Sequence, residues 1–244
     1  MPRTTLPAGI GAALGAGAVV AAGHAAPALS ALGGVRRVFL PRLAGAGRAD
    51  HVALTFDDGP DPASTPAFLA ALDRLGWRAT FFMLGAMVDR DPGLAREVAD
   101  AGHEIALHGY EHVSHLRRPP GRVDGDLRRG VDAVAAATGQ RPVWFRPPYG
   151  YLSSGSCLAA RRLGLRTVLW TAWGRDWTAT ATPAGVASTV ARGLRPGGTV
   201  LLHDSDCTSA PGAWRAALGA LPRLAELFAA HGGLAVGTLA DHGV

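Results

Sequence analysis

The sequence predicts an α/β fold in a single domain, with parallel strands that form a distorted or incomplete (β/α) barrel. From about residue 50 onward, short β-type runs alternate with helical patterns, and glycine or proline residues separate them. The hydrophobic fraction of 48% in 244 residues is enough to bury one sizeable core. Reactive side chains follow the ends of several predicted strands, where parallel β/α folds hold their active sites.

The predicted strands are mostly apolar runs, as expected for strands that are buried on both faces of a parallel sheet. In chain order they cover residues 51–56, 79–84, 104–107, 143–145, 166–171, 199–202 and 234–239. Seven short strands with intervening helices favour a small barrel over an open doubly wound sheet. The pattern alone does not separate the two folds, because both need crossover helices between buried parallel strands.

Capping residues mark the ends of the predicted helices. Ser64 with Pro66 begins the first helix, and Gly76 ends it. Gly139 ends the third helix in the same way, since glycine accepts the left-handed conformation at a helix end. The predicted helices cover residues 64–75, 91–101, 123–138, 156–163, 183–194 and 213–230, the last interrupted by Pro222.

The charge pattern argues against nucleic-acid binding. The chain carries 24 Arg and no Lys against 19 acidic residues, a formal net charge of +5, and the arginines are spread along the sequence. A nucleic-acid-binding arm would instead concentrate them in one run. Two explanations of the basic balance remain open: a bias in coding, and an affinity for an anionic polymer surface or cell wall.

The N-terminal residues have the composition of a targeting segment. No Asp, Glu, Lys or Arg occurs between Thr4 and Val35. Arg3 with the free amine, a weakly apolar stretch over 8–22 and the small-residue site Ala26-Pro27-Ala28 are typical of a signal peptide. The alternative is an uncleaved membrane anchor, although Ala and Gly favour insertion only weakly. We therefore expect an exported protein, either secreted or held at the cell surface.

The predicted division of the chain has three parts. Residues 1–35 are the signal peptide or membrane anchor, residues 36–49 are a linker, and residues 50–244 are the α/β domain. An exported domain permits a disulfide between its two cysteines, Cys157 and Cys207. The alternative is two unrelated free thiols, since a sequence gives no distance between them.

Reactive side chains gather at one end of the predicted strands. In chain order these are Asp57 with Asp58, His108, Arg146, Asp176 and His203. Asp58, His108 and His112 would supply the three ligands of a catalytic zinc site with one coordination position open. Asp57 would then be free to take a proton from the attacking water. In the alternative interpretation, the paired aspartates cap a loop and the histidines are ordinary rim residues.

Five motifs in this order and spacing resemble one family. They are Thr55-Phe56-Asp57-Asp58-Gly59-Pro60, His108 with His112, Arg146-Pro147-Pro148-Tyr149-Gly150, Asp176-Trp177 and Leu201-Leu202-His203. Together they resemble polysaccharide deacetylases of the NodB homology type, carbohydrate esterase family 4. The resemblance covers the chain from about residue 50 to the C-terminus, and its first and third motifs are the specific ones. It implies a distorted (β/α) barrel that removes acetyl groups from N-acetylated sugars with the help of a metal ion.

The resemblance also implies a role for each catalytic residue. Asp57 would be the general base, and Arg146 would orient it and keep it ionised. His203 would be the general acid, because an amine leaves only when it is protonated. Asp176 would support His203, and the backbone N–H of Tyr149 would contact the oxyanion.

The same resemblance implies a metal site and an acyl pocket. The implied metal ligands are Asp58, His108 and His112. Zinc is the expected ion, with cobalt or another divalent ion as the alternative. Leu201 and Trp177 would form the walls of the pocket for the acetyl methyl group.

Two positions depart from the family pattern. Gly109 stands where the family usually has Ser or Thr, so a hydroxyl that could brace the loop is absent. Where the family often reads Asp-x-x-Asp-Trp, this chain begins with Trp173, so Asp176 is the only acidic residue of the motif. Asp204 and Asp206 are the alternative partners of His203, and His115 is the alternative metal ligand.

The expected activity is therefore metal-dependent N-deacetylation of a cell-wall or extracellular glycan. Chitin oligosaccharide, peptidoglycan and poly-N-acetylglucosamine share the reacting group, so the sequence does not distinguish them. Two other functions remain open. One is a catalytically weak glycan-binding protein of the cell surface, and the other is a metal-dependent O-acetyl esterase or amidase acting on a small molecule. The native metal and the oligomeric state are likewise undetermined by the sequence.

Overall fold

The computed structural model describes residues 18–244; the first half of the predicted targeting segment, residues 1–17, lies outside the described residues. Within the described part of the chain, eight strands join in one sheet. They are β1 (His51–Asp57), β2 (Thr80–Met83), β3 (Glu104–Leu107), β4 (Trp144–Phe145), β5 (Arg166–Thr167), β6 (Ala172–Trp173), β7 (Thr199–His203) and β8 (Ala235–Gly237). The pairs between them are all parallel.

The strand order shows how the sheet closes. It is β5-β4-β3-β2-β1-β7-β6, with β8 paired to β1. β5 and β6 follow one another in the chain but lie at opposite edges of the sheet. The residues between them, 168–171, can bridge at most about 18 Å, so the two edges curl toward each other. The sheet is an incomplete barrel, which confirms the predicted fold class, and we call residues 168–171 the seam.

Helices connect the strands, as the alternating pattern predicts. They are α1 (Ala18–Ala31), α2 (Gly33–Phe39), α3 (Thr65–Leu75), α4 (Gly85–Arg90), α5 (Pro92–Asp100), α6 (Pro120–Thr138), α7 (Ser154–Arg162), α8 (Pro183–Gly193), α9 (Trp214–Ala230) and α10 (Leu239–His242). Gly76 and Gly139 end α3 and α6 in the left-handed conformation, with φ of 66° and 72°. Both helix ends lie where the sequence predicts them.

The structure differs from the predicted elements at α4, at β5 and β6, and at α9. α4 was not predicted, because six residues that begin with Gly85 give too short a pattern. The predicted strand 166–171 is divided into β5 and β6, which pair at opposite edges of the sheet. α9 continues through Pro222, since the buried residues Leu221, Leu224 and Phe228 hold it against the core.

Alternation along β1 decides which side chains face the barrel interior. The larger core cluster, which includes residues of the surrounding helices, contains Val52, Leu54 and Phe56. Ala53 belongs to a second, smaller cluster. Thr55 and Asp57 follow Ala53 at a period of two residues, so they point to its side of the sheet. The interior of the barrel is therefore polar toward the carboxyl end of β1.

The residues before β1 contact the barrel. Arg36 and Ala44 are buried, and the Gly47 N–H donates to the Gly197 carbonyl at 2.9 Å. No single helix in residues 18–244 has the length and apolar character needed to span a membrane. α1 and α2 meet that test only together, as a pair bent by 84°.

Candidate active site

The predicted site residues on four strands meet at the carboxyl end of the barrel. The strand register places Asp57 of β1 beside His203 of β7. His108 and Arg146 directly follow paired residues of β3 and β4. A cleft of about 290 Å³ opens at this rim. The residues that line it include Asp57, Asp58, His108, His112, Tyr149, Trp177, Leu201 and His203.

Asp57 is buried and forms an ion pair with Arg146. Arg146 Nη1 donates to Asp57 Oδ1 at 2.6 Å and to Thr55 Oγ1 at 2.9 Å. Burial raises the pKa of Asp57 to about 6, and the guanidinium offsets only part of that rise. Asp57 is therefore a stronger base than an exposed aspartate. Its second oxygen, Oδ2, lies 3.7 Å from His108 Nε2, on the side of the metal-ligand candidates.

Asp58, His108 and His112 bring three ligand atoms together. Asp58 Oδ1 lies 3.4 Å from His108 Nε2 and 3.5 Å from His112 Nε2. Atoms about 2.1 Å from a tetrahedral zinc ion are about 3.4 Å apart, so these two spacings match a shared ion. Asp58 also has a φ of 81°, a left-handed conformation that is uncommon for residues other than glycine.

The hydrogen bonds around this cluster leave its ligand atoms available. Asp58 Oδ1 is buried and has no hydrogen-bond partner among the described residues. His108 Nδ1 lies 2.8 Å from the Arg146 carbonyl, to which it donates, so the lone pair is on Nε2. Burial first, and then the neighbouring His112, hold the pKa of His108 well below its usual value. The neutral imidazoles and the unpartnered carboxylate oxygen fit zinc or cobalt.

Thr208 is a site residue that no sequence motif identifies. Its hydroxyl donates to Asp58 Oδ2 at 2.7 Å, and this bond leaves Oδ1 to face the two imidazoles. Thr208 is separated from Asp58 by 150 positions in the chain, so no local pattern joins the two residues. Its place on the loop that follows His203 is the one signal that the sequence offers.

Asp176 holds His203 at two points. The His203 backbone N–H donates to Asp176 Oδ2 at 2.7 Å, and His203 Nδ1 lies 3.0 Å from Asp176 Oδ1. Burial by itself lowers the pKa of His203, but Asp176, together with Asp58 and Asp57, raises it to about 10. The imidazole is therefore protonated at neutral pH. Because Nδ1 is held by Asp176, Nε2 is the atom left to donate a proton.

Aromatic side chains form one wall of the cleft. Trp177 and Trp173 have ring centroids 5.0 Å apart, and Trp173 stacks on Trp170 at 5.6 Å with 20° between the rings. Leu201 lines the same cleft. Trp173 stands where the family pattern has an acidic residue, so an aromatic ring replaces a charge in this wall.

Tyr149 lines the cleft from the loop after β4. Its φ is 60° and its ψ is 4°, a left-handed conformation that is rare for a bulky residue. The ring centroid lies 4.4 Å from that of His112. Strained residues of this kind cluster at functional sites. The contact of its backbone N–H with an oxyanion stays a prediction.

Asp126 of α6 braces the loop that carries His112. Its Oδ2 accepts from the Tyr110 N–H at 2.9 Å, and its Oδ1 accepts from Arg118 Nη1 at 2.9 Å. Gly109 has a φ of 101°, and a Cβ at that position would lie 3.2 Å from Asp126 Oδ2. A carboxylate from a neighbouring helix thus braces the loop from which the hydroxyl of position 109 is absent.

The alternative metal ligand and the alternative partners of the acid have other contacts. His115 is buried with Nδ1 3.1 Å from Ser156 Oγ, and it is not part of the three-residue ligand cluster. Asp204 is buried and its Oδ2 accepts from Thr65 Oγ1 at 2.5 Å, so it holds the loop after β1. Asp206 accepts from a backbone N–H of its own loop. Asp176 is the carboxylate that contacts the acid.

The two cysteines are free and exposed in this structure. Cys207 lies beside the metal-ligand candidates, where its Sγ–H donates to the Asp58 carbonyl at 3.4 Å. Cys157 lies in the first turn of α7. Their pairing stays an untested prediction.

A family model described as polysaccharide deacetylase matches residues 44–168. A peptidoglycan-N-acetylglucosamine deacetylase of Bacillus cereus is 36% identical over 155 residues, which are 63% of this chain and 72% of the relative. A chitooligosaccharide deacetylase of Bradyrhizobium is 37% identical over 154 residues, which are 63% of this chain and 70% of the relative.

A solved structure has a similar fold. It is a mutant, with restored enzymatic activity, of a carbohydrate esterase family 4 pseudoenzyme from Bacillus anthracis. The TM-score is 0.71 at 26% identity, and the match covers 79% of this chain and 67% of that one. The similarity supports the incomplete barrel that the strand order shows.

Proposed function

This chain belongs to the polysaccharide deacetylase family, and from that membership we propose that it removes N-linked acetyl groups from a cell-wall or extracellular glycan. One observation carries the proposal. Asp57, a buried carboxylate, and His203, a protonated imidazole, lie on neighbouring strands at one cleft. Amide hydrolysis needs both groups, because water must lose a proton and the departing amine must gain one.

Each residue has a defined task in this mechanism. Asp57 accepts the proton of the attacking water through Oδ2, while Arg146 holds Oδ1. His203, oriented by Asp176, donates from Nε2 to the amine nitrogen. The Tyr149 N–H donates to the oxyanion that develops on the acetyl oxygen.

Asp58, His108 and His112 would hold a divalent ion, zinc in the first place. When bound, that ion would polarise the acetyl carbonyl and acidify the attacking water. Leu201 and Trp177 bound the space for the methyl group, which favours acetyl over longer acyl chains.

The substrate that we propose contains N-acetylglucosamine. The curated relatives are named for peptidoglycan N-acetylglucosamine and for chitooligosaccharide, and this sugar is common to both. Because such glycans lie outside the cytoplasmic membrane, we propose that residues 1–35 direct export and that the catalytic domain begins near residue 50. Cleavage after Ala28 or retention as an anchor are the two forms of this proposal.

The test is acetate release by the full chain from N-acetylglucosamine oligomers and, in parallel, from peptidoglycan. Release from either supports the deacetylase and identifies its glycan. Hydrolysis of acetyl esters alone would support the O-acetyl esterase alternative. Glycan binding with no acetate release would support the glycan-binding alternative.

The alkaline limb of the pH profile should depend on Asp176. His203 must keep its proton to act as the acid. Burial lowers its pKa, but Asp176 outweighs burial and raises it, so kcat/KM should hold through neutral pH and fall only at alkaline pH. In Asp176→Asn the raising carboxylate is lost, and the fall should move to lower pH. Asp206→Asn is the matched control, since that carboxylate does not contact His203. An unmoved alkaline limb in Asp176→Asn would refute the assignment of the acid.

A further inference from the structure

We propose that Arg36 is a positioning residue that fixes the Trp170 wall of the active-site cleft from outside the predicted catalytic domain. Arg36 lies in the predicted linker, before the match to the family model begins at residue 44. The inference rests on the proposed function, because the wall that Arg36 supports is a wall of the proposed substrate cleft.

Arg36 is docked rather than solvated. It is 4% exposed, although it lies on the short helix α2, whose neighbours Val35 and Arg37 are exposed. Its Nη1 donates to the Ser30 carbonyl at 2.9 Å, and its Nη2 donates to the Trp170 carbonyl at 2.8 Å. An arginine side chain is rarely buried unless its guanidinium has hydrogen-bond or ionic partners.

The seam explains why such a contact is needed. Residues 168–171 lie between the two edge strands, so part of their backbone hydrogen bonding must come from outside the sheet. The Leu169 N–H donates to the Leu43 carbonyl at 2.7 Å. The Leu169 carbonyl accepts from Arg146 Nη2 at 2.8 Å, and the Trp170 carbonyl accepts from Arg36. Arg36 and Arg146 thus hold two successive peptide groups of the seam.

The ring of Trp170 connects Arg36 with the cleft, because it contacts the guanidinium and also lines the cleft. The Arg36 guanidinium carbon lies 5.2 Å from the centroid of the Trp170 ring. The same ring lines the cleft and stacks on Trp173. It also lies against Gly150, where an added Cβ would be 2.6 Å from Trp170 Cη2. Trp170 is therefore fixed between Arg36 and the loop that carries Tyr149.

The contact survives predicted maturation. The small-residue site Ala26-Pro27-Ala28 precedes Ser30, so both backbone partners of Arg36 remain after cleavage there. A chain that began at residue 50 would lack Arg36 and Leu43 together.

The experiment compares Arg36→Ala, Arg36→Lys and the exposed neighbour Arg37→Ala in the full chain. In Arg36→Ala we expect KM for N-acetylglucosamine oligomers to rise about tenfold, the loss expected for one charged hydrogen bond, with kcat nearly unchanged. Lysine keeps the charge but cannot donate to two carbonyls with the fixed geometry of a guanidinium. The KM of Arg36→Lys should therefore lie between that of Arg36→Ala and that of the native chain. The KM and kcat of Arg37→Ala should equal those of the native chain.

Near-ultraviolet circular dichroism reports the tryptophan cluster independently of turnover. We expect its tryptophan bands to change in Arg36→Ala and to stay native in Arg37→Ala. Equal KM and identical tryptophan bands in all variants would overturn the proposal, as would an equal loss of kcat and thermal stability with no change in KM. If the native chain releases no acetate, the proposed function fails, and the tryptophan bands still decide whether Arg36 positions Trp170.

Discussion

Asp57→Asn is expected to lower acetate release by about 10²–10⁴-fold while metal content stays at the native level. Asparagine has nearly the shape of aspartate, and its carbonyl oxygen can still accept from Arg146, but it cannot take the proton of the attacking water. The metal-ligand candidates are other residues, so their geometry is retained. The measurements are acetate release and metal content on the same purified sample.

His108→Ala is the control for Asp57→Asn. This substitution removes a ligand atom from the three-residue cluster, so we expect metal content and acetate release to fall together. A thermal melt of both variants is needed as well, because Asp57→Asn leaves the buried Arg146 without its counter-ion. Substantial activity in a folded Asp57→Asn would show that another group is the base.

His203→Ala is expected to separate amide from ester substrates. The amine of an N-acetyl sugar leaves only with a proton from the acid, so amide hydrolysis should fall by about 10²–10⁴-fold. A phenolate leaves without that proton, so hydrolysis of 4-nitrophenyl acetate should fall far less. Rates on both substrates are measured for the native chain and for the variant.

His203→Gln is the matched control for this experiment. Glutamine keeps a polar group near Asp176 but donates no proton in this pH range, so it should show the same selectivity as His203→Ala. Equal losses on amide and ester in both variants would contradict the role of His203 as acid and would favour a role in holding the site together.

Local signals in the sequence were sufficient for most of the fold. The buried strand β1, the glycine caps Gly76 and Gly139 and the alternation of elements depend on neighbouring residues, so a single sequence shows them. The division of the predicted strand 166–171 depends instead on where the barrel edges meet. That is a property of the whole sheet.

The same distinction applies to the site. The motif residues were identifiable because they lie at the end of a strand or in the loop that follows it, and the structure brings Asp57, Asp58 and His108 to one cleft with His203. Thr208 and Arg36 were not identifiable, because their partners Asp58 and Trp170 are 150 and 134 positions away in the chain. Such contacts arise only when the barrel forms.

At Trp173 the chain departs from the family pattern, and the structure shows the consequence of this substitution. In the sequence, Trp173 stands where the family often has an aspartate, so the carboxylate that orients His203 could not be identified with certainty from the motif. In the structure Asp176 makes both contacts to His203, while Trp173 lies between two other tryptophans of the cleft wall. The substitution therefore changes the wall and leaves the contacts of the acid in place.

The most direct test of the proposed chemistry measures bound metal and acetate release in one sample of the full chain, before chelation, after chelation and after adding zinc or cobalt. We expect about one ion per chain, loss of ion and acetate release together on chelation, and recovery of both when metal is restored. Undiminished acetate release by the metal-free protein, or failure of the native chain to bind any divalent ion, would contradict the proposed metal-dependent mechanism.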